Sequence, residues 1–220
     1  MINSILSTKL LTDSQTELIL NSGLSITHFD ILKIEPVSFE AHDDFTHVII
    51  TSKNAIPALL KYKIMQEHIS CVGEKTAQLL NQHHIEPVAV ADNASDLAKI
   101  LINKYPQEKF LYLCGKQRRH QLPALFQAEK IAFKEHFVYR SIAIMKSFDR
   151  IFACVCFYSP RGVIAFAKAN PKNKPLIAVC IGNTTADEAR NYYDTIVIAN
   201  KQTVENTLIT AIKSVRNVEK

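Results

Sequence analysis

Apolar positions in this chain fall in short unbroken runs rather than in strict alternation. Each run ends on small hydroxyl or glycine residues, and a helix-spaced stretch follows. Val48-Ile-Ile-Thr-Ser52 leads into Lys-Asn-Ala55, and Ile69-Ser-Cys-Val-Gly73 leads into Glu-Lys-Thr76-Ala. Val88-Ala-Val-Ala91 precedes Ser95. The same order recurs in Val155-Cys-Phe-Tyr-Ser159, Ile177-Ala-Val-Cys-Ile-Gly182-Asn-Thr-Thr185 and Ile196-Val-Ile-Ala199, which precedes Thr203. The two series are offset by about 108 residues: Ser159 lies 107 after Ser52, Thr185 109 after Thr76, and Thr203 108 after Ser95. Strand, turn and helix in repeated order build a parallel α/β sheet. Such a sheet places its ligand beyond the carboxyl ends of the strands. Two copies imply two such edges, and if these face each other six hydroxyl-bearing helix starts surround one cleft.

The pattern predicts strands at Ser4 to Lys9, Ile26 to Leu32, Phe45 to Thr51, Ile69 to Val72, Pro87 to Val90, Lys109 to Cys114, Phe152 to Tyr158, Leu176 to Ile181 and Thr195 to Ile198. Helices are expected at Asp13 to Asn21, Asn54 to Tyr62 (with Pro57 tolerated in the first turn), Glu74 to His83, and Asp96 to Lys104 capped by Ser95. Further helices fit a stretch ending near Lys130, then Arg161 to Ala169, Ala186 to Tyr192 and Val204 to Val215. Pro36 keeps residues 34–38 extended, and Ile131 to Arg140 also reads as extended. The expected organisation is a discontinuous α/β domain of residues 1–33 plus 143–220, a second of residues 36–138, and linkers at 34–38 and 137–142 that act together as a hinge.

With 220 residues, 47% hydrophobic and 21% charged, the chain has the make-up of a globular protein. No apolar stretch approaches the roughly 20 residues that cross a bilayer. Met1-Ile-Asn-Ser-Ile-Leu has neither the basic region nor the long apolar core of a signal peptide. Cys71, Cys114, Cys154, Cys156 and Cys180 all sit in strand-like runs, which suits buried reduced thiols and a cytoplasmic setting. A net charge of +5 without a basic run speaks against nucleic acid and for a small anionic ligand. Metal ligation is not indicated: Cys154-x-Cys156 has no second ligand pair, and His83-His84 has no carboxylate cluster beside it. There is no Walker loop around Gly73-Glu-Lys-Thr76, no G-x-G-x-x-G and no G-x-S-x-G.

The candidate chemistry therefore lies in the turns. Helix starts offer unpaired N–H groups and the positive end of the dipole, and they bind carboxylates and phosphates. Ser52, Thr76, Ser95, Ser159, Thr185 and Thr203 serve that purpose or act simply as caps. Lys116-Gln-Arg118-Arg119-His120 follows a strand end, where it either pairs with substrate carboxylates or forms a solvated turn. Tyr139 lies in the second crossing segment, as a proton donor to a leaving hydroxyl or as a half-buried linker residue. Tyr158 reads as sheet packing.

Taken together these residues resemble uroporphyrinogen-III synthase. Ile50-Thr-Ser-Lys-Asn-Ala55 matches the family's strand, Thr-Ser and helix. Val72-Gly-Glu-Lys-Thr-Ala77, Leu111-Tyr-Leu-Cys-Gly-Lys116, Tyr139-Arg140-Ser141, Phe157-Tyr-Ser-Pro160, Ile181-Gly-Asn-Thr-Thr-Ala186 and Gln202-Thr-Val-Glu205 match its later elements in order. Where the family carries Thr-Arg, this chain has Thr8-Lys9, which keeps the charge but not the two-pronged donor. The proline usual after Thr-Ser is Lys53 here. The resemblance implies two flavodoxin-like or Rossmann-like parallel-sheet domains joined by a two-stranded linker. It implies an enzyme, a cyclising hydro-lyase of heme biosynthesis, that needs no cofactor. Linear hydroxymethylbilane, a tetrapyrrole with eight carboxylates, would close to uroporphyrinogen III with inversion of ring D and loss of water, through an azafulvene and a spiro intermediate. Tyr139 would assist departure of the hydroxyl. The substrate would be bound by Lys9, Thr51, Ser52, Asn54, Gly73, Thr76, Ser95, Gly115, Lys116, Ser159, Gly182, Thr184, Thr185 and Thr203. A monomer in the cytoplasm is expected, with neither nucleic acid nor membrane as partner. The rival reading is a two-lobed, non-catalytic sensor of small anions.

Overall fold

A computed structural model describes residues 3–40, 44–64, 68–118 and 120–218. In chain order the first elements are β1 (Ser4–Ser7), α1 (Asp13–Leu20), β2 (Ser25–His28), β3 (Leu32–Pro36), β4 (His47–Ile50), α2 (Ile56–Lys61), β5 (His68–Val72) and α3 (Glu74–Gln82). A 3-10 turn, Lys53–Ala55, leads into α2. Then come β6 (Ala89–Ala91), α4 (Ala94–Lys104), β7 (Phe110–Gly115), α5 (Gln121–Ala128) and β8 (Phe133–Ala143). The last are β9 (Cys154–Phe157), α6 (Pro160–Ala169), β10 (Ile177–Cys180), α7 (Asn183–Ala189), β11 (Ile196–Ile198) and α8 (Val204–Val218).

The chain divides into two units, Met1–Lys33 with Ile142–Lys220, and Ile34–Ser141. The first unit holds a five-stranded sheet in the order β11-β10-β9-β1-β2, with every pairing parallel. Its central strands β9 and β10 alternate sides while staying apolar throughout; β1 keeps Ile5 and Leu6 between serines, and the edge strand β2 is Ser-Ile-Thr-His. Ile5, Cys154, Cys156, Ile177 and Val179 pack with Ile19 of α1 and with Leu208 and Ala211 of α8. Leu6, Val155, Phe157, Ala178 and Cys180 pack with Val163 and Phe166 of α6 and with Ala186 of α7. Both faces are covered, which is why these strands read as continuous hydrophobic runs. Cys154 and Cys156 share one face, as their spacing predicts.

The second unit repeats the logic with six strands, β3-β8-β7-β4-β5-β6. Val48, Ile50, Cys71, Leu111 and Leu113 meet α2 and α3, and Ile49, Phe110, Tyr112 and Cys114 meet α4 and α5. The pairs among β4, β5, β6, β7 and β8 are parallel. β3 runs the other way along β8: Glu35 pairs with Arg140, and Val37 N–H donates to the Val138 carbonyl at 2.9 Å. All five cysteines are buried free thiols. Burial pushes the Cys71 thiol up to about 11, and the Cys114 and Cys180 thiols to about 12.

Local signals set most helix starts. Thr12 and Gln15 form a reciprocal capping box on α1. Two predicted starts are corrected. Asn93, not Ser95, caps α4, its side chain accepting from Asp96 N–H at 3.0 Å. α7 begins at Asn183 rather than Ala186, with Gly182 at its cap position. The extended segment predicted from Ile131 to Arg140 is shifted to Phe133–Ala143, because Ala143 continues the strand.

Gly73 caps α3 at φ 83° and ψ 137°, a conformation close to glycine-only space. A Cβ there would meet nothing within 4 Å, so only the backbone opposes substitution. Gly73→Ala is expected to lower stability by about 1–3 kcal/mol, read as a drop in the urea midpoint with unchanged slope. An unchanged midpoint would show that the turn relaxes freely.

Candidate active site

In each sheet the carboxyl ends of the parallel strands form one rim, and the predicted residues stand on those rims. On the second unit, Thr51 and Ser52 follow β4, Gly73 follows β5, and Lys116 follows Gly115 at the end of β7. Ser52 Oγ accepts from Asn54 N–H at 3.3 Å and caps the 3-10 turn. Thr51 Oγ1 lies 2.8 Å from the Tyr112 hydroxyl. Burial raises the Tyr112 phenol to about 12, with the Thr51 hydrogen bond opposing. Thr76 is the third residue of α3 and is buried; Ser95 is inside the first turn of α4 and is half-buried.

Tyr139 reaches this rim through an irregularity in β8. Cys114 pairs with Phe137, but Gly115 pairs with Tyr139, so Val138 is an extra residue. A bulge of this kind re-aims the side chains around it. Val138 turns into the core, and the Tyr139 ring lies against the backbone of Gly115. A Cβ on residue 115 would stand 2.5 Å from Tyr139 Cε2 and 2.6 Å from Cζ. Lys116 N–H donates to the Tyr139 carbonyl at 3.0 Å, closing the strand end. The Tyr139 ring stands between two depressions. One, of about 330 Å³, is lined by Thr51, Ser52, Asn93, Tyr112, Arg118 and Tyr139 among others; the second, of about 360 Å³, includes Asn54 and Lys61. Among the described residues the Tyr139 hydroxyl takes no hydrogen bond.

The basic loop after β7 is less available than its composition suggests. Arg118 binds both carboxylate oxygens of Glu135 on β8 through Nε and Nη2, and its Nη1 is 3.1 Å from His120 Nδ1. That pair raises the Arg118 guanidinium further and neutralises its charge. Arg119 lies outside the described residues. Lys116 is exposed and makes no ion pair among the described residues.

On the first unit, Lys9 follows β1 and is exposed. Ser159 Oγ accepts from Gly162 N–H at 3.1 Å and caps α6. Gly182 precedes α7, Thr184 is exposed in its first turn, and Thr185 is buried in it. Thr203 Oγ1 accepts from Asn206 N–H at 3.2 Å at the start of α8. Tyr158 packs in the core as expected, and its hydroxyl also meets Ser7 Oγ at 3.2 Å. Within the second unit, then, Thr51, Ser52 and Tyr139 share one depression, while Gly73, Thr76, Ser95, Gly115 and Lys116 are not part of its lining. Sequence reasoning missed Asp92, Asn93, Tyr112 and Gln121 in that lining, whereas Gln117 and Arg118 come from the loop it singled out. Asn93 carried a usable signal, a side-chain acceptor three residues before Asp96. Tyr112 carried none, since its strand reads as core.

Residues 13–208 match the family model described as uroporphyrinogen-III synthase HemD. The chain belongs to the uroporphyrinogen-III synthase family. Its fold is similar to the crystal structure of uroporphyrinogen-III synthetase from Helicobacter pylori 26695, with TM-score 0.73, 20% identity, and coverage of 96% of this chain and 99% of that one. It is also similar to a mutant uroporphyrinogen III synthase from the extremely thermophilic bacterium Thermus thermophilus, with TM-score 0.59, 14% identity, and coverage of 98% and 99%. No curated protein matches the chain.

The contact between Gly115 and Tyr139 is open to test. Gly115→Ala is expected to fold but to push the ring off the strand end, because Cε2 and Cζ cannot remain within 3 Å of a new methyl. The ring proton resonances of Tyr139, assigned by their loss in Tyr139→Phe, should move while the far-UV spectrum stays constant. Unmoved resonances would refute the wedge.

Proposed function

We infer that this chain is a uroporphyrinogen-III synthase, a lyase that closes hydroxymethylbilane to uroporphyrinogen III with inversion of ring D and loss of water. The observation that carries the reading is the family match over residues 13–208. The rims supply its chemical sense. The substrate is a polycarboxylate, and helix starts with free N–H groups and dipole ends suit carboxylates. Lys9 and Lys116 add unpaired positive charge to these edges, on a chain of net charge +5.

In this reading the carboxylates are bound by Thr51, Ser52, Asn54, Gly73, Ser95, Gly115 and Lys116 of the second unit. Lys9, Ser159, Gly182, Thr184 and Thr203 of the first unit bind others. Thr76 and Thr185, with buried side chains and with backbone N–H groups that donate to the Gly73 and Gly182 carbonyls at 2.9 and 3.1 Å, shape the turns whose first free N–H groups meet the carboxylates. Ser52, Ser159 and Thr203 use an oxygen lone pair to cap a helix and keep the O–H to donate. Tyr139 donates a hydrogen bond or proton to the hydroxyl, which leaves as water when the C–O bond breaks; loss of the pyrrole N–H proton, which restores the phenol, gives the azafulvene. Attack by ring D, and reopening and reclosure through the spiro centre, then require mainly that the two ends be held together. Positioning of this kind supplies up to roughly 7–11 kcal/mol, against about 10²–10⁴-fold for one acid. The enzyme acts as a monomer in the cytoplasm, without nucleic acid. Among the described residues, no helix is long and apolar enough to cross a membrane.

The direct test supplies fresh hydroxymethylbilane and separates the oxidised products by isomer. Type III porphyrin is expected; type I alone means spontaneous closure and would defeat the assignment. Tyr139→Phe should lower kcat by about 10²-fold and leave type III as the product. Complete loss with an intact fold would mean that the phenol, not positioning, carries the rate. Lys116→Ala should raise KM by up to about 5-fold with little change in kcat, the effect of one exposed ion pair.

A further inference from the structure

A cluster at the opposite edge of the second sheet plays no part in this chemistry. His47 opens β4, His68 opens β5, and Glu108 stands just before β7. These are three adjacent strands, so the cluster joins their amino ends. His47 Nδ1 is 2.9 Å from one Glu108 oxygen and His68 Nδ1 is 2.7 Å from the other. The three donor atoms lie within 4.8 Å of one another. The Tyr105 ring packs on both imidazoles, at 5.0 and 5.2 Å between centroids, and so fixes their planes. His47 Nε2 is 2.7 Å from Ser70 Oγ, and both residues are fully buried. A depression of about 420 Å³, lined in part by Asp44, Thr46, His68 and Glu108, opens on the cluster.

We propose that His47 Nδ1, His68 Nδ1 and the Glu108 carboxylate form a binding site for a divalent transition metal ion, with zinc as the best fit. Two imidazoles and one carboxylate with an open position are a donor set for zinc, copper, nickel or iron, not for magnesium or calcium. Bonds of about 2.0–2.2 Å to nitrogen and oxygen set the ligand atoms roughly 3–3.5 Å apart. The two nitrogen–oxygen separations need to open by only a few tenths of an ångström, and the two histidine nitrogens, within 4.8 Å, to converge on the ion. Without metal, each Nδ1–H points at Glu108. An entering ion takes that place, and the ring proton moves to Nε2, so neutral imidazoles release no proton. On His47 the relocated N–H meets Ser70 Oγ, the kind of outer hydrogen bond that orients metal-bound histidines. The ion would tie together β5, β4 and β7 at the edge away from the rim, acting as a staple and not as a participant in the reaction.

The full chain, stripped with chelator, is titrated with Zn²⁺ by calorimetry and with Co²⁺ by visible absorption. One ion per chain is expected, together with a rise in Tm and cobalt bands of the intensity seen for four- or five-coordination. His68→Ala removes a half-exposed ligand, and Glu108→Gln keeps hydrogen bonding but loses the charge. Each should weaken Zn²⁺ binding at least 10-fold with an unchanged far-UV spectrum. A His83→Ala, His84→Ala double variant, at the exposed end of α3, should bind as the parent does. No binding at millimolar Zn²⁺, or binding that survives His68→Ala and Glu108→Gln, would overturn the proposal. So would binding lost only in the His83, His84 variant.

Discussion

Covering both faces of each parallel sheet is the constraint on which everything else rests. A strand whose successive residues are all apolar cannot lie with one face in water. In the first unit, Val155 and Phe157 go to one side while Cys154 and Cys156 go to the other, and each side needs its own helices. Parallel neighbours can be joined only by crossovers, and the crossover helices supply that cover. Once the strands run the same way, all their carboxyl ends, and all the helix starts that follow, fall on one edge. A rim of unpaired N–H groups is therefore a consequence of core packing, available to binding without a separate structural device.

That rim explains why hydroxyl residues recur there without each being a ligand. Ser52, Ser159 and Thr203 satisfy backbone donors in the first turn that follows them. Their conformational role would select Ser or Thr even in a protein that bound nothing. Thr76 and Thr185 sit deeper and face the core. Positive charge is likewise divided. Arg118 is committed to Glu135, which ties the loop after β7 to β8, whereas Lys116 and Lys9 remain in solvent without partners among the described residues. The field available to an anion comes from exposed lysines, Lys9, Lys53, Lys75 and Lys116 among them, and from several helix dipoles, with Arg118 committed to Glu135.

The strands were legible because their signal is burial, and burial writes itself as uninterrupted apolar residues. Ile49 and Ile50 differ in face but not in hydrophobicity. Helix starts were less legible, since Asn93 and Ser95 are both good caps and only the chain direction after β6 chooses between them. The bulge at Val138 left no trace, because Phe137, Val138 and Tyr139 are all acceptable strand residues and the register is decided by β7. The cluster of His47, His68 and Glu108 was invisible for a different reason. Its members are far apart in sequence and meet only because β5, β4 and β7 are neighbours in the sheet. Local patterns report faces and turns; they do not report which strand ends share an edge.

The bulge also separates Tyr139 from the other tyrosines near the rims. Tyr112 is buried and bonded to Thr51, and Tyr158 is half-buried with its oxygen accepting from Ser7 Oγ; burial holds each phenol well above its ordinary range. Releasing a proton from either would leave a phenolate in a poorly solvated place, which burial disfavours. Tyr139 is positioned differently. Van der Waals contact with the Gly115 backbone fixes its ring, and Lys116 N–H fixes its main chain. Neither restraint uses the hydroxyl. A side chain held by its ring, with its proton uncommitted, meets the requirement for a donor that must act on a bound substrate. Glycine at 115 is then required not for its own flexibility but for the space that the Tyr139 ring occupies.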